Sequence, residues 1–226
     1  MIMFQQAKAL SLLFLKGMFW LIVGLNALFI FVKSLSYYTP NFNSGFLSDK
    51  KEIFYQTIYP YFFYGHISIS SAILVIGLFQ FSKIFRAKYL NTHRLLGKLY
   101  IGLVLFVSAP SALVMGIYAT GNWWIKGGFV IASVLWWWFT YKAYLEIRKK
   151  NVQQHQRYMQ RSYIISLLAV FLRVYYYLIV VVFDAYTPNT YLFVVYASWL
   201  PNWVLFELYV LFKDAKPAII KAKSPN

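Results

Sequence analysis

Cysteine is absent from the 226-residue chain. Its absence excludes disulfides, thiolate zinc sites, cysteine-ligated iron–sulfur clusters and covalent c-type haem attachment. Any metal has to be held by histidine, carboxylate or methionine. Acidic residues are scarce as well, with 6 Asp and Glu against 22 Lys and Arg, a formal charge of +16. Charged residues make up only 12% of the chain, while 61% is AVILMFWYC and 22% is aromatic. A water-soluble domain carries about 25% charged residues, so these proportions exclude a soluble globular protein. The sequence also lacks a phosphate-cradling glycine loop, a serine nucleophile elbow, and His-x-x-x-His or Glu-x-x-His metal spacing. It has no internal repeat and no low-complexity tract.

A strongly basic soluble domain would suggest nucleic acid. Here the cations form short clusters between long apolar runs, so the partner is the lipid bilayer and not nucleic acid. A helix needs about 20 apolar residues to cross the hydrocarbon core, and six stretches qualify: 11–32, 58–81, 95–118, 127–145, 164–183 and 191–212. The fold class is therefore all-α, a bundle of six transmembrane helices. Residues 1–212 form a single membrane domain, and residues 213–226 form a basic, mobile tail. Small residues at Ser34-Leu35-Ser36 resemble a signal-peptide cleavage site, but the apolar run before them is too long, so the first span is expected to stay as an anchor. The segment 36–56 is the longest outer loop, with room for a short interfacial helix near 47–55. Aromatic residues crowd the span ends, as in Tyr59 to Tyr64, Trp123-Trp124 and Trp136 to Trp138, where interfacial belts are expected.

Positive segments stay on the cytoplasmic side. With six spans, seventeen Lys and Arg fall on one side and four (Lys33, Lys50, Lys51 and Lys126) on the other, with Arg173 inside a span. Both termini are then cytoplasmic, and the localisation is the bacterial inner membrane or an equivalent one.

Ionisable groups inside spans mark sites by default. His66 shares a helical face with Ser70, Ile73, Gly77 and Gln80. That stripe is either a close helix contact or room for a flat group beside the imidazole. His93 opens the third span with Arg94 and Lys98 beside it and Gly97 one turn on. It is either a polar helix start with snorkelling cations or a ligand beside a glycine notch. His155 precedes a face formed by Met159, Ser162, Ser166, Ala169 and Arg173, and is either a ligand or a solvated loop residue. By rise per residue, His66 and Arg173 lie at an outer level, and Gln80, His93, His155 and Glu207 at an inner one. Arg173 is expected to face the bundle. A bis-imidazole haem takes one His from each of two facing helices at one depth, a condition that His93 and His155 meet. Gly97 would then line the ring, and Arg94, Lys98 or Arg157 would reach its propionates.

The strings His66-Ile-Ser-Ile-Ser, Gln80-Phe, His93-Arg-Leu-Leu-Gly97-Lys-Leu-Tyr100, His155-Gln-Arg-Tyr-Met-Gln-Arg161-Ser-Tyr163, Leu172-Arg173 and Pro201-Asn202 with Glu207 together resemble the membrane-protein family catalogued as domain of unknown function 2306. This resemblance implies membership without an established activity. A looser similarity to cytochrome b561-like membrane cytochromes implies histidines on consecutive helices binding b-type haem. The fourth span has no His, so one haem b at most is expected, with His93 and His155 as its iron ligands. Three functions follow: electron transfer or redox work near the cytoplasmic face, with quinone or a protein as partner; a non-catalytic subunit docking into a larger membrane protein complex; and a lipid-modifying enzyme with His93 or His155 as general base.

The cysteine-free background allows single-cysteine labelling to test the topology. Probes at Asn43 should react from outside, and those at Lys88, Asn151 and Ser224 only from inside. Outside labelling at Lys88 would overturn the orientation.

Overall fold

The computed structural model describes residues 2–43 and 45–223, which are helical apart from short connections and contain no strand. The chain divides into two compact units, Met1–Thr120 and Gly121–Asn226.

In the first unit, α1 (Ile2–Leu35) leads through a loop containing α2 (Lys51–Gln56) into α3 (Tyr59–Phe81). A short α4 (Lys83–Lys88) turns the chain into α5 (Leu90–Leu103), which continues through a π-helical segment, Val104–Ser108, into α6 (Ala109–Ile117). The central element is α3, packed against α1, α5 and α6. The π segment has a local cause: Pro110 lacks an N–H and its ring crowds the carbonyl four residues back, a conflict that a widened turn relieves.

The loop between α1 and α3 is folded onto the bundle. Leu47, Phe54, Tyr59 and Phe63 form a buried cluster flanked by Tyr37, Phe42, Tyr64 and Tyr118. Phe63 meets Tyr37 edge-on at 5.6 Å between ring centroids and stacks on Tyr59 at 5.8 Å. The rings at Tyr59 and Phe63, expected in an interfacial belt, are instead the floor of this cap. Full burial of each such ring is worth roughly 1.5–3 kcal/mol. A charge sits beside them: Lys50 is only 2% exposed, and its Nζ donates to Asp49 Oδ2 at 2.7 Å and to Thr120 Oγ1 at 2.8 Å. Thr120 Oγ1 in turn donates to the same Asp49 oxygen at 2.6 Å. This triad ties the loop to the far end of α6.

In the second unit, α7 (Trp123–Arg148) and α8 (Val152–Ser166) form a hairpin, followed by α9 (Leu168–Tyr176), a π-helical segment Tyr177–Val182, α10 (Pro188–Ala197) and α11 (Leu200–Lys223). Asn122 and Asn151 cap α7 and α8, accepting from Ile125 N–H and Gln154 N–H. Between them Lys150 takes the left-handed conformation (φ 61°) that closes the hairpin, with its N–H donating to the Ile147 carbonyl. Thr140 and Ser162, both fully buried, join hydroxyls at 2.7 Å across the pair. Gly128 admits α10: a Cβ there would lie 2.9 Å from Val195 Cγ1.

Among the described residues, five helices are long and apolar enough to span a bilayer: Leu13–Tyr38, Tyr59–Phe81, Leu90–Ile117, Val152–Val182 and Pro188–Asp214. The remaining expected span corresponds to α7, which is 26 residues long but draws much of its apolar character from Trp and Tyr, whose rings carry polar edges. The helix α11 continues to Lys223, so most of the segment expected as a mobile tail is helical. Ser224, one of the labelling positions, lies outside the described residues.

Burial pushes the Asp49 carboxyl up, but the hydrogen bonds from Lys50 and Thr120 and the Lys50 charge outweigh it and hold the group below its ordinary value. A carboxyl depressed in the folded state stabilises it above the unfolded pKa, near 4, and that contribution is lost as pH falls through the folded value. The protection of amides over residues 47–56, measured against their intrinsic exchange at each pH, should therefore fall below about pH 4. Asp49→Asn should show fast exchange already at pH 7, and unchanged exchange in that variant would exclude the triad as the tie.

Candidate functional site

The structure resolves the polar residues of the spans into contacts within each unit. On α3, Ile73, Gly77 and Gln80 are buried, as the stripe through His66 requires. His66 Nδ1 donates to the Ser108 carbonyl at 3.2 Å, and Ser70 Oγ donates back to the His66 carbonyl at 2.6 Å. A carbonyl can only accept, so the proton in the first bond lies on Nδ1. His66 thus docks α3 onto the π segment, the helix-contact alternative of the two.

Gln80, His93 and Gly97 come together at the opposite end of the same unit. Gln80 Nε2 donates to the His93 carbonyl at 3.2 Å, and a Cβ on Gly97 would stand 3.3 Å from Gln80 Oε1. The notch beside Gly97 is therefore filled by the Gln80 amide. Gly97 serves helix approach there, where the sequence had suggested the face of a flat ring. Arg94 and Lys98 are exposed, and His93 is half-buried.

In the second unit His155 is in the first turn of α8. Its Nδ1 donates to the Ala143 carbonyl of α7 at 2.8 Å, so it is an ordered helix residue and not a solvated loop one. When the ring is neutral this bond leaves the lone pair on Nε2.

Two ion pairs join α8 to α11. Arg161 Nε and Nη2 donate to Glu207 Oε1 and Oε2, both at 2.6 Å, and Trp203 Nε1 donates to Glu207 Oε1 at 2.8 Å. The Arg161 guanidinium also lies over the Tyr158 and Phe206 rings. Arg157 makes a second bidentate pair with Asp214, with Nη1 to Oδ2 at 2.9 Å. Glu207, grouped by depth with the inner histidines, is thus held by Arg161, and Arg157, expected to reach a propionate, is held by Asp214. Sequence reasoning missed both rungs, although the signal was there: 157 and 161 share one helical face, as do 207 and 214.

Arg173 departs from its expected place. Met159, Ser162 and Ser166 are buried, but Arg173 is exposed, with Nη1 donating to the Ala169 carbonyl of its own helix at 2.6 Å. The reason is the break at Leu167, which takes ψ −10° between α8 and α9 and stops the stripe from continuing at one helical phase. Among the described residues no group of three or more His, Asp or Glu converges as a metal site.

Removing one member of a desolvated ion pair costs about 3–5 kcal/mol, more than removing both. Partial exposure of Glu207 makes this an upper bound. Arg161→Met and Glu207→Met should each lower the thermal midpoint of the detergent-purified protein, and the double variant should recover most of the loss. A double variant as unstable as the sum of the two would show that the pair is not coupled.

A family model described as "Predicted membrane protein (DUF2306)" matches residues 63–210. No curated protein and no solved structure matches the chain. The matched stretch includes His66, Gln80, His93, the α7–α8 hairpin, Arg161 and Glu207, so the polar contacts described above lie within it except the Arg157–Asp214 pair, whose acid falls beyond its end. The chain belongs to the DUF2306 family of membrane proteins.

Proposed function

We propose that the protein is a redox or electron-transfer protein of the bacterial inner membrane, with six spans, both termini cytoplasmic, and one b-type haem held between His93 and His155. The observation that supports this reading is the Ala143 carbonyl on His155 Nδ1. A backbone acceptor on one ring nitrogen fixes the tautomer and aims the other, the usual way a ligating imidazole is oriented. Haem, when bound, supplies one-electron chemistry. With Arg157 committed to Asp214, the exposed Arg94 and Lys98 are the cations left to meet propionates. Quinone or a membrane protein is the class of partner such a site would serve.

A second reading, a non-catalytic subunit of a membrane complex, draws on the Gly97 notch. The Gln80 amide occupies the space a ring would use, and Arg157 and Arg161 are both consumed in pairs. On that reading the polar residues of this chain hold helices together.

An absorption spectrum of protein purified in detergent from haem-replete cells separates the two. The redox reading expects a low-spin b-type spectrum that is lost in His93→Ala and in His155→Ala and kept in His66→Ala. Protein that folds and carries no haem leaves the subunit reading in place.

A further inference from the structure

The six carboxylates of the chain are unevenly placed. None occurs between Glu52 and Glu146, a stretch that contains Lys83, Arg86, Lys88, Arg94 and Lys98. In the first unit the acids are Asp49 and Glu52, and they lie at the loop end of α3. That helix has 23 residues, so they are about 35 Å from the α4 end. In the second unit Glu146 is engaged by Lys149 and Asn151, Arg161 takes Glu207, and Arg157 takes Asp214. Asp184 lies in the connection before α10. Five cations within sixteen residues thus have no carboxylate assigned to them, at a helix end where the membrane-spanning reading puts headgroups.

The shape of α4 adds a second, independent observation. Ser82 caps it, accepting from Phe85 N–H at 3.1 Å. Phe85 packs against Phe79 at the end of α3 and against Tyr89 at the end of α4 itself, at 5.4 and 5.6 Å between centroids. Beside the half-buried Phe85, Ile84 is 81% exposed, and Lys83 and Lys88 are exposed with it. An apolar side chain set among cations on a short helix at a span end matches an interface of acyl chain and phosphate.

We propose that α4 forms a binding surface for anionic phospholipid, with Ile84 in the acyl region and Lys83, Arg86 and Lys88 on headgroup phosphates. The proposal rests on the membrane-spanning fold and is independent of any haem. Each cation near an anionic surface contributes about a fivefold factor in affinity, so the α4 triplet suffices for a marked preference.

The test uses the full chain with Ala87→Cys as its single cysteine, carrying a fluorescent donor, reconstituted into phosphatidylcholine vesicles. Acceptor-labelled phosphatidylglycerol should quench the donor several-fold more than acceptor-labelled phosphatidylcholine at equal mole fraction. The preference should fall as salt rises from about 0.05 to 0.5 M and nearly vanish in a Lys83→Gln/Arg86→Gln/Lys88→Gln variant whose circular dichroism matches the parent. If that variant misfolds, the salt series on the parent decides alone. Equal quenching by both lipids would overturn the proposal and leave an acidic protein as the counter-ion. So would loss of the preference in inorganic phosphate but not in chloride of the same ionic strength, which would indicate a site for free phosphate.

Discussion

A polar group taken out of water has to find its hydrogen bonds inside the protein, and in a hydrocarbon surrounding nothing else can supply them. This constraint organises the whole chain. Five polar side chains within spans are tied to a neighbouring helix or segment: His66 to the π segment, Gln80 to the start of α5, Thr140 to Ser162, His155 to α7 and Arg161 to α11. Apolar side chains carry little information about which helices meet in such a setting, because lipid satisfies them as well as protein does. The few polar residues therefore specify the neighbours, and the many Leu, Phe and Val residues cover the outside.

The same economy bears on two of the places where the helices are not regular. The widened turn before Ala109 follows from Pro110, and it is the residue at the end of that turn, Ser108, whose carbonyl receives His66. The break at Leu167 divides the longest candidate spanning helix, Val152–Val182, into α8, whose Met159, Ser162 and Ser166 are buried, and α9, whose Arg173 is exposed and bonded to its own backbone. In each case a local backbone irregularity decides where a polar side chain finds its acceptor.

Apolar runs and turn residues made the all-α membrane class and most helix ends legible in the sequence, since a run of about 20 apolar residues has few other uses. The buried stripe below His66 was legible for the same reason, being a periodicity within one helix. What depended on two helices at once was harder. Glu207 and Arg161 are 46 residues apart, and depth alone put Glu207 with the histidines, because depth fixes one coordinate and leaves the rotation of each helix open. Lys50 was counted as an outer positive charge, and nothing local says that it would be enclosed with Asp49 and Thr120. Gly97 reads in the sequence either as part of a polar helix start or as a notch beside a ligand, because a sequence does not show that a long amide from another helix fills the space. Arg173 was placed by extending a periodicity across a break that no proline or glycine announces.

The two ion pairs between α8 and α11 have a geometric property of their own. Arg157 and Arg161 are one turn apart, about 6 Å along α8, whereas Glu207 and Asp214 are two turns apart, about 10.5 Å along α11. The helices run antiparallel, since the lower-numbered arginine takes the higher-numbered acid. Unequal spacings make the ladder a vernier. Both rungs close only at one relative offset, with the long side chains absorbing the difference, and a slip of one turn could at best close one of them. Packing of similar apolar side chains would tolerate such a slip with little change in energy. The salt bridges therefore act less as an adhesive than as a gauge that sets how far one helix is pushed along the other.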